Sequence, residues 1–205
     1  PAAVEAAGNK YLAREHFAAA GLPVPAYFRV PLDSDPSTAC ARAPWPCVLK
    51  PIGLSGSRGV IRANTSDEFL AAFDRIRRLL DSPDILRHRD PALGFIQIEE
   101  YIPGREFALE GLMTAGRLRT LALFDKPDPL DGPFFEETIY VTPSRQPTAA
   151  QQAMHDAIQK ACTALGLSDG PVHAELRANE NGVWVLEVAA RPIGGLCARV
   201  LRFNG

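Results

Sequence analysis

The stretch Pro171–Arg191, P-V-H-A-E-L-R-A-N-E-N-G-V-W-V-L-E-V-A-A-R, decides how the chain is read. It reads as two strands around an N-E-N-G turn. Successive side chains of a strand point to opposite faces. One face then carries Val172, Ala174 and Leu176, continued by Trp184, Leu186 and Val188. The other carries His173, Glu175 and Arg177, continued by Val185, Glu187, Ala189 and Arg191. A three-residue loop of Glu180, Asn181 and Gly182 predicts that Asn179 pairs with Val183. That register sets Glu175 opposite Glu187, roughly 5 Å apart at the β-carbons. Two facing carboxylates repel, so a positive group is expected between them. A hard divalent cation such as Mg2+ suits oxygen ligands, and Arg191 extends the same face toward a bound anion. A solvated hairpin face, neutralised by Arg177 or Arg191, fits the same pattern.

Upstream, Asn9 caps a helix running to Ala20, which Gly21 ends. Lys10 opposes the dipole in its first turn, a feature compatible with an external anion or with an ordinary surface lysine. Leu22–Val30 reads as an extended connection, and residues 31–44 give a poor signal with room for a short helix. Trp45–Lys50 is a short buried strand stopped by Pro51. The loop I-G-L-S-G-S-R-G-V follows, with Gly53, Gly56 and Gly59 at intervals of three. Such a loop brings backbone N–H groups near a phosphate, and Ser55 and Ser57 add hydroxyl donors. No G-K-[ST] opens a helix, so this is not a Walker loop; a plain hairpin from there to the strand Val60–Ala63 fits as well. Thr65–Leu80 is a helix with a capping box at Thr65 and Glu68. It carries an apolar stripe at Phe69, Phe73, Ile76 and Leu80. Arg75, Arg77 and Arg78 form its solvated face.

After a polar connection over 81–94 come strands at Phe95–Ile102, Glu106–Met113 and Arg117–Phe124. Asp125–Pro133 reads as a polar loop and Phe135–Val141 as a further strand. A helix over Thr148–Leu165 leads into the hairpin.

The chain has 205 residues, 46% of them hydrophobic, enough for one sizeable core or two small lobes around a cleft. A net charge of −2 gives no bulk attraction to nucleic acid or an anionic membrane. No apolar run approaches the ~18 residues of a membrane span. Cys40, Cys47, Cys162 and Cys197 lack C-x-x-C spacing, which suits reduced thiols in a cytoplasmic protein. The abrupt ends suggest a domain cut from a longer protein. Oligomeric state is not legible.

Lys10, Lys50, the glycine loop, I-E-E-Y-I-P-G-R-E-F and the paired glutamates together resemble the ATP-grasp superfamily, over about Asn9–Arg199. The closest likeness is to its carboxylate–amine ligases, which include the L-amino-acid (dipeptide) ligases, D-alanine–D-alanine ligase, biotin carboxylase and carbamoyl phosphate synthetase. The resemblance implies an α+β fold of two lobes with ATP and Mg2+ in the cleft; one or two ions are expected, and Mn2+ can substitute. Residues 1–205 would be one ATP-grasp domain, with 27–98 the small lid lobe and 99–205 the large lobe.

Carried over residue by residue, Lys10 would meet the α- and β-phosphates, and Lys50 the adenine and α-phosphate. Ser55, Gly56 and Ser57, with Arg58, lie in the lid. The Glu99 carboxylate and Glu100 carbonyl would take the adenine amino group, in a linker that continues through Tyr101 to Ile102, whose N–H would reach the ring. Glu106 would accept from the ribose. Glu175 and Glu187 would ligate metal, and Arg191 would steady the transferred phosphate as the catalytic arginine.

The family often has an E-x-N-x-R segment where this chain reads Glu187-Val188-Ala189-Ala190-Arg191, so Ala189 puts the second metal site in doubt. His173, opposite Ala189, either fills that space or supports the site by hydrogen bonding. The expected substrates are a small carboxylate and an amine, with amino acids favoured, and further domains of the parent chain as partners. A bicarbonate-activating enzyme and a nucleotide-binding module without catalysis are the alternatives. The Asp125–Pro133 loop and Ile193–Leu196 are expected to touch substrate.

Overall fold

The computed structural model describes residues 2–87, 89–135, 139–195 and 197–200. Two four-stranded antiparallel sheets, each backed by helices, organise them. The first contains β1 (Tyr27–Pro31), β2 (Cys47–Pro51), β3 (Ile61–Ala63) and β4 (Phe95–Glu100), in the order β1-β4-β2-β3. Its inward face, with Val30, Leu49, Ile96 and Ile98, packs on α3 (Pro36–Cys40) and α4 (Ser66–Leu80). In α4 Thr65 caps as read, its Oγ1 accepting from the Glu68 N–H at 3.3 Å, while the Glu68 carboxylate accepts from the Asn64 N–H at 2.7 Å; Phe69, Phe73, Ile76 and Leu80 are buried. Arg77 departs from the solvated-face expectation, since it donates to the Leu32 and Ser34 carbonyls.

The second sheet contains β5 (Arg105–Thr114), β6 (Arg117–Lys126), β7 (Gly170–Asn179) and β8 (Gly182–Ala189), in the order β6-β5-β7-β8. Its apolar face meets α1 (Ala2–Gly8), α2 (Lys10–Ala19) and α6 (Thr148–Ala164). Phe107, Leu109, Val172, Ala174, Leu176 and Val188 bury against Phe17, Met154 and Ile158. Asn9 caps α2, accepting from Tyr11 and Leu12 at 3.1 and 3.0 Å.

Several expectations need correction. The hairpin loop is two residues long, and Asn179 pairs with Gly182 rather than Val183. A bulge between Glu175 and Leu176, with Leu186 as the extra residue on β8, then restores the predicted pairing of Glu175 with Glu187 and of His173 with Ala189. A bulge swaps faces beyond it. Val185 is therefore in the core, while Leu186 lines the cleft. Asp125 and Lys126 end β6 and are buried, not part of a loop. Around 135–141 the described residues make only isolated bridges, Phe134 to Ile61 and Val141 to Asp125, rather than a strand; residues 136–138 lie outside the description. Tyr27–Pro31, read as a connection, is strand β1 because β4 offers it an antiparallel edge. Helix α1 was not anticipated; its small residues Ala6 and Ala7 pack on the second core. The polar connection holds α5 (Pro83–Leu86) and a 3-10 turn at Pro91–Gly94, and α7 (Cys197–Val200) follows the hairpin.

No helix among the described residues is long and apolar enough to cross a membrane. No disulfide joins the four cysteines.

The turn from β4 to β5 depends on Gly104. Its φ is +124°, and a β-carbon there would lie 2.5 Å from the Ala178 carbonyl oxygen. Gly104→Ala is expected to destabilise the fold by about 1–3 kcal/mol, read as a lower urea midpoint. An unchanged midpoint would show that this turn relaxes freely.

Candidate active site

A cavity of about 620 Å3 opens between the two sheets. Lys10, Lys50, Ser55, Gly56, Ser57, Glu99, Glu100, Tyr101, Ile102, Glu106, Glu175, Glu187 and Arg191 all line it. They come from α2, β2, the glycine loop, β4, β5, β7, β8 and the turn after β8, so the fold gathers residues far apart in sequence. Ile193, Gly194 and Gly195 line it too; Leu196 lies outside the described residues.

The polar face of the second sheet carries cross-strand rows of charge. Lys126, Glu106 and Arg177 share one row across β6, β5 and β7. Ala108, Glu175 and Glu187 share the next, across β5, β7 and β8. Glu110, His173 and Ala189 share the third. Glu106 receives Lys126 Nζ and Arg177 Nε, each at 2.9 Å. Glu175 lies 3.4 Å from Lys126 and 3.5 Å from His173 Nε2, and Glu187 lies 3.3 Å from Lys10. The positive charge expected between the glutamates is thus supplied here from both flanks by side chains.

His173, opposite Ala189, is hydrogen-bonded: its Nδ1 is 2.5 Å from Glu110. Burial works against a charged imidazole, but Glu110 and Glu175 outweigh it and raise the pKa to about 9.

The Glu99 carboxylate, which the resemblance assigns to the adenine amino group, is already paired in this structure. It is 3% exposed. Arg14 Nε and Nη2 grip its two oxygens at 3.0 and 3.2 Å. Lys50 Nζ bonds one of those oxygens and Gln97 donates to the other. Burial opposes ionisation of Glu99, yet the Arg14 and Lys50 charges prevail and hold its pKa at about 2. Burial also pulls Lys50 down to about 8, against the attraction of Glu99. Arg14 continues to the β8 bulge, donating to the Val185 and Leu186 carbonyls at 2.9 and 3.1 Å. Lys10, one helical turn earlier, bonds the Leu54 carbonyl in the glycine loop. One face of α2 therefore fastens that loop and β4 to β8.

Sequence reasoning missed Arg14, Glu110 and Lys126, and did not give Arg177 its place. Arg14 was findable as the i+4 partner of Lys10. Arg177 ties Glu106 to the Ile102 and Leu130 carbonyls. Arg191 lies beyond the end of β8, exposed, with Nη1 on the Pro192 carbonyl.

Comparison with known proteins decides the family. The family model described as "ATP-grasp domain" matches residues 43–200. The chain belongs to the ATP-grasp family. Over 192 residues it is 28% identical to dapdiamide A synthase of Enterobacter agglomerans, covering 91% of this chain and 43% of that protein. Over 205 residues it is 28% identical to alanine–anticapsin ligase of Bacillus subtilis, covering 94% and 43% respectively. An L-amino acid ligase structure from Bacillus licheniformis superposes with a TM-score of 0.75 at 28% identity, covering 95% of this chain and 42% of that one. The chain thus spans less than half the length of these relatives. Biotin carboxylase from Campylobacter jejuni has the same TM-score at 19% identity, a likeness of fold alone.

The donor chemistry suits a hard cation held jointly with a ligand. Among the described residues no group of three histidine, cysteine or carboxylate side chains is placed to hold a metal. Two opposed carboxylates are what Mg2+ uses when phosphates and water complete its shell.

Proposed function

We propose that this ATP-grasp domain binds ATP with Mg2+ in the cleft and serves an ATP-dependent carboxylate–amine ligase acting on amino-acid-type substrates. The observation that carries it is the convergence on one cavity of lysines from both sides with the opposed pair Glu175 and Glu187. The ligases named among its relatives support the reaction class.

Lys10 and Lys50 bind polyphosphate, and the loop at Ser55, Gly56 and Ser57, in a lid lobe of residues 27–98, closes over it and excludes water. The Glu100 carbonyl and Ile102 N–H take the adenine edge, and Glu106, already oriented by Lys126 and Arg177, accepts from the ribose. Glu99 holds Lys50 in place instead of touching adenine. Glu175 and Glu187, in the large lobe of residues 99–205, hold Mg2+ or Mn2+, which when bound shields phosphate charge from an incoming carboxylate.

A carboxylate oxygen of the acyl donor attacks the γ-phosphorus, the bond to the β–γ bridging oxygen breaks, and ADP leaves. The resulting acyl phosphate is attacked by the amine, releasing phosphate and the amine's proton. Arg191 offsets charge on the transferred group. The acceptor site is assigned in part to segments of the parent protein outside this chain. Ala189, where no third metal-ligating side chain joins the two glutamates among the described residues, favours one second reading: a nucleotide-binding module without turnover.

Amino-acid-dependent release of ADP and phosphate by the parent protein, screened across carboxylate and amine pairs, tests the ligase. Tight ATP binding with no release across the panel would favour the module. The pH dependence of nucleotide affinity gives a sharper check. Lys50 loses its proton as pH rises through about 8, so calorimetric ADP affinity should show a decline there. Lys50→Met should remove that step. A wild-type affinity flat from pH 7 to 8.5 would refute the assignment of Lys50.

A further inference from the structure

Behind the cavity wall stands a carboxylate that the functional reading above does not use. Glu110, on β5, is 4% exposed and does not itself line the cleft. Its two oxygens reach two separate parts of the site. Oε1 bonds His173 Nδ1 at 2.5 Å, and the opposite ring nitrogen, Nε2, lies 3.5 Å from Glu175. Oε2 accepts from the Ile193 N–H at 2.9 Å. Ile193 anchors the turn that begins at Arg191, whose Nη1 donates to the neighbouring Pro192 carbonyl.

Glu110 lies directly across from His173 on β7. In the β5–β6 pairing the step from Glu110 to Gly111 faces a bulge on β6, where Leu121 is the extra residue. A β-carbon at Gly111, beside Glu110, would lie 2.5 Å from Leu118 Cδ1, so that position admits no larger residue without a shift of that side chain.

We propose that Glu110 is a positioning residue, which through one hydrogen bond from each oxygen sets the His173 ring behind Glu175 and seats the Arg191 turn against the sheet. It links the metal-facing and phosphate-facing parts of the site while touching neither ligand. The inference rests on the nucleotide reading above. It acts through His173, the group beside the metal-facing Glu175; loss of such outer-shell support weakens metal affinity or activity by roughly 10–100-fold. Hydrogen bonding, rather than net charge, is the requirement. Glutamine in its place still accepts from Ile193 and donates to an imidazole Nδ1 that carries no proton.

The test compares Glu110→Met, which keeps the volume and removes both bonds, with Glu110→Gln, which keeps them. ADP affinity is measured by calorimetry with and without Mn2+, and Mn2+ occupancy by electron paramagnetic resonance. In wild type, Mn2+ should strengthen ADP binding. In Glu110→Met that gain should fall about tenfold or more, with metal-free ADP affinity unchanged. Glu110→Gln should keep the gain within about threefold. A gain retained in Glu110→Met would overturn the inference. So would an equal loss in Glu110→Gln, an equal loss of metal-free affinity, or failure of Glu110→Met to fold, because the assigned role is orientation and not the stability of the sheet. Absence of ADP binding, or of any metal gain, in wild type would instead refute the nucleotide reading itself.

Discussion

Replacing Glu99 by glutamine is expected to destabilise the protein by about 3–5 kcal/mol, the usual loss when one partner of a buried ion pair is removed. The carboxylate is gripped by both arms of Arg14 and by Lys50, and all three side chains are buried. Glutamine matches the shape but leaves two ammonium or guanidinium charges in a site that solvent barely reaches. Their mutual repulsion was screened by Glu99, and no other carboxylate contacts either of them in the described structure. For a chain of this size the melting temperature should fall by roughly 2–4 °C for each kcal/mol, measurable by calorimetry.

The pH dependence has a definite sign. Glu99 has its folded pKa depressed to about 2, so its stabilisation is present above the ordinary carboxylate range. That stabilisation is lost as pH falls toward 2. Glu99→Gln should therefore lose most at neutral pH, and the gap to wild type should narrow on acidification. Because Arg14 also holds the β8 bulge, Arg14→Met should lose comparable stability, and the double variant should lose less than the sum. A loss below 1 kcal/mol for Glu99→Gln would mean that the pair is solvated after all.

Why the sequence disclosed the glutamate pair but misplaced its surroundings is visible at the β7–β8 bulge. The alternation of Glu175 with His173 and Arg177 is a local period that any strand shows. The facing of Glu175 and Glu187 then needed only a loop length and an unbroken ladder. The loop was read one residue too long, and the ladder contains one extra residue at Leu186, so the two errors cancel at the glutamates. They do not cancel at Trp184, Val185 and Leu186, whose faces were read inverted. A second bulge, between Glu110 and Gly111, likewise moves Lys126 opposite Glu106; unbroken pairing from the Ala115–Gly116 turn would have put Asp125 there. Bulges answer to the twist and closure of a whole sheet, and no local period records them.

The α4 stripe and the Asn9 cap were legible because caps and helical spacing are local. The pairing of Glu99 was not legible because its partners, Arg14 and Lys50, lie 85 and 49 residues away in the chain. Only the packed junction of the two sheets shows that its lone pairs are already taken.

Arg191 presents the opposite case to Glu99. It is exposed, sits past the end of β8, and bonds no carboxylate among the described residues. Arg191→Ala should leave stability within about 0.5 kcal/mol, as for an ordinary surface change, and should leave metal-free ADP affinity unchanged. Amino-acid-dependent ADP release by the parent protein should nevertheless fall by about 10²–10³, the typical cost of losing one donor aimed at developing charge. Arg191→Lys should recover little of it, because an ammonium cannot offer the planar two-pronged fork of a guanidinium to phosphate oxygens. The two variants thus separate scaffold from chemistry: Glu99→Gln lowers the melting temperature, and Arg191→Ala lowers turnover in a protein that melts normally. A turnover that survives Arg191→Ala would move the stabilisation of the transferred group to another cation facing the cleft, and Lys10 on the Glu187 side would then be the residue to replace next.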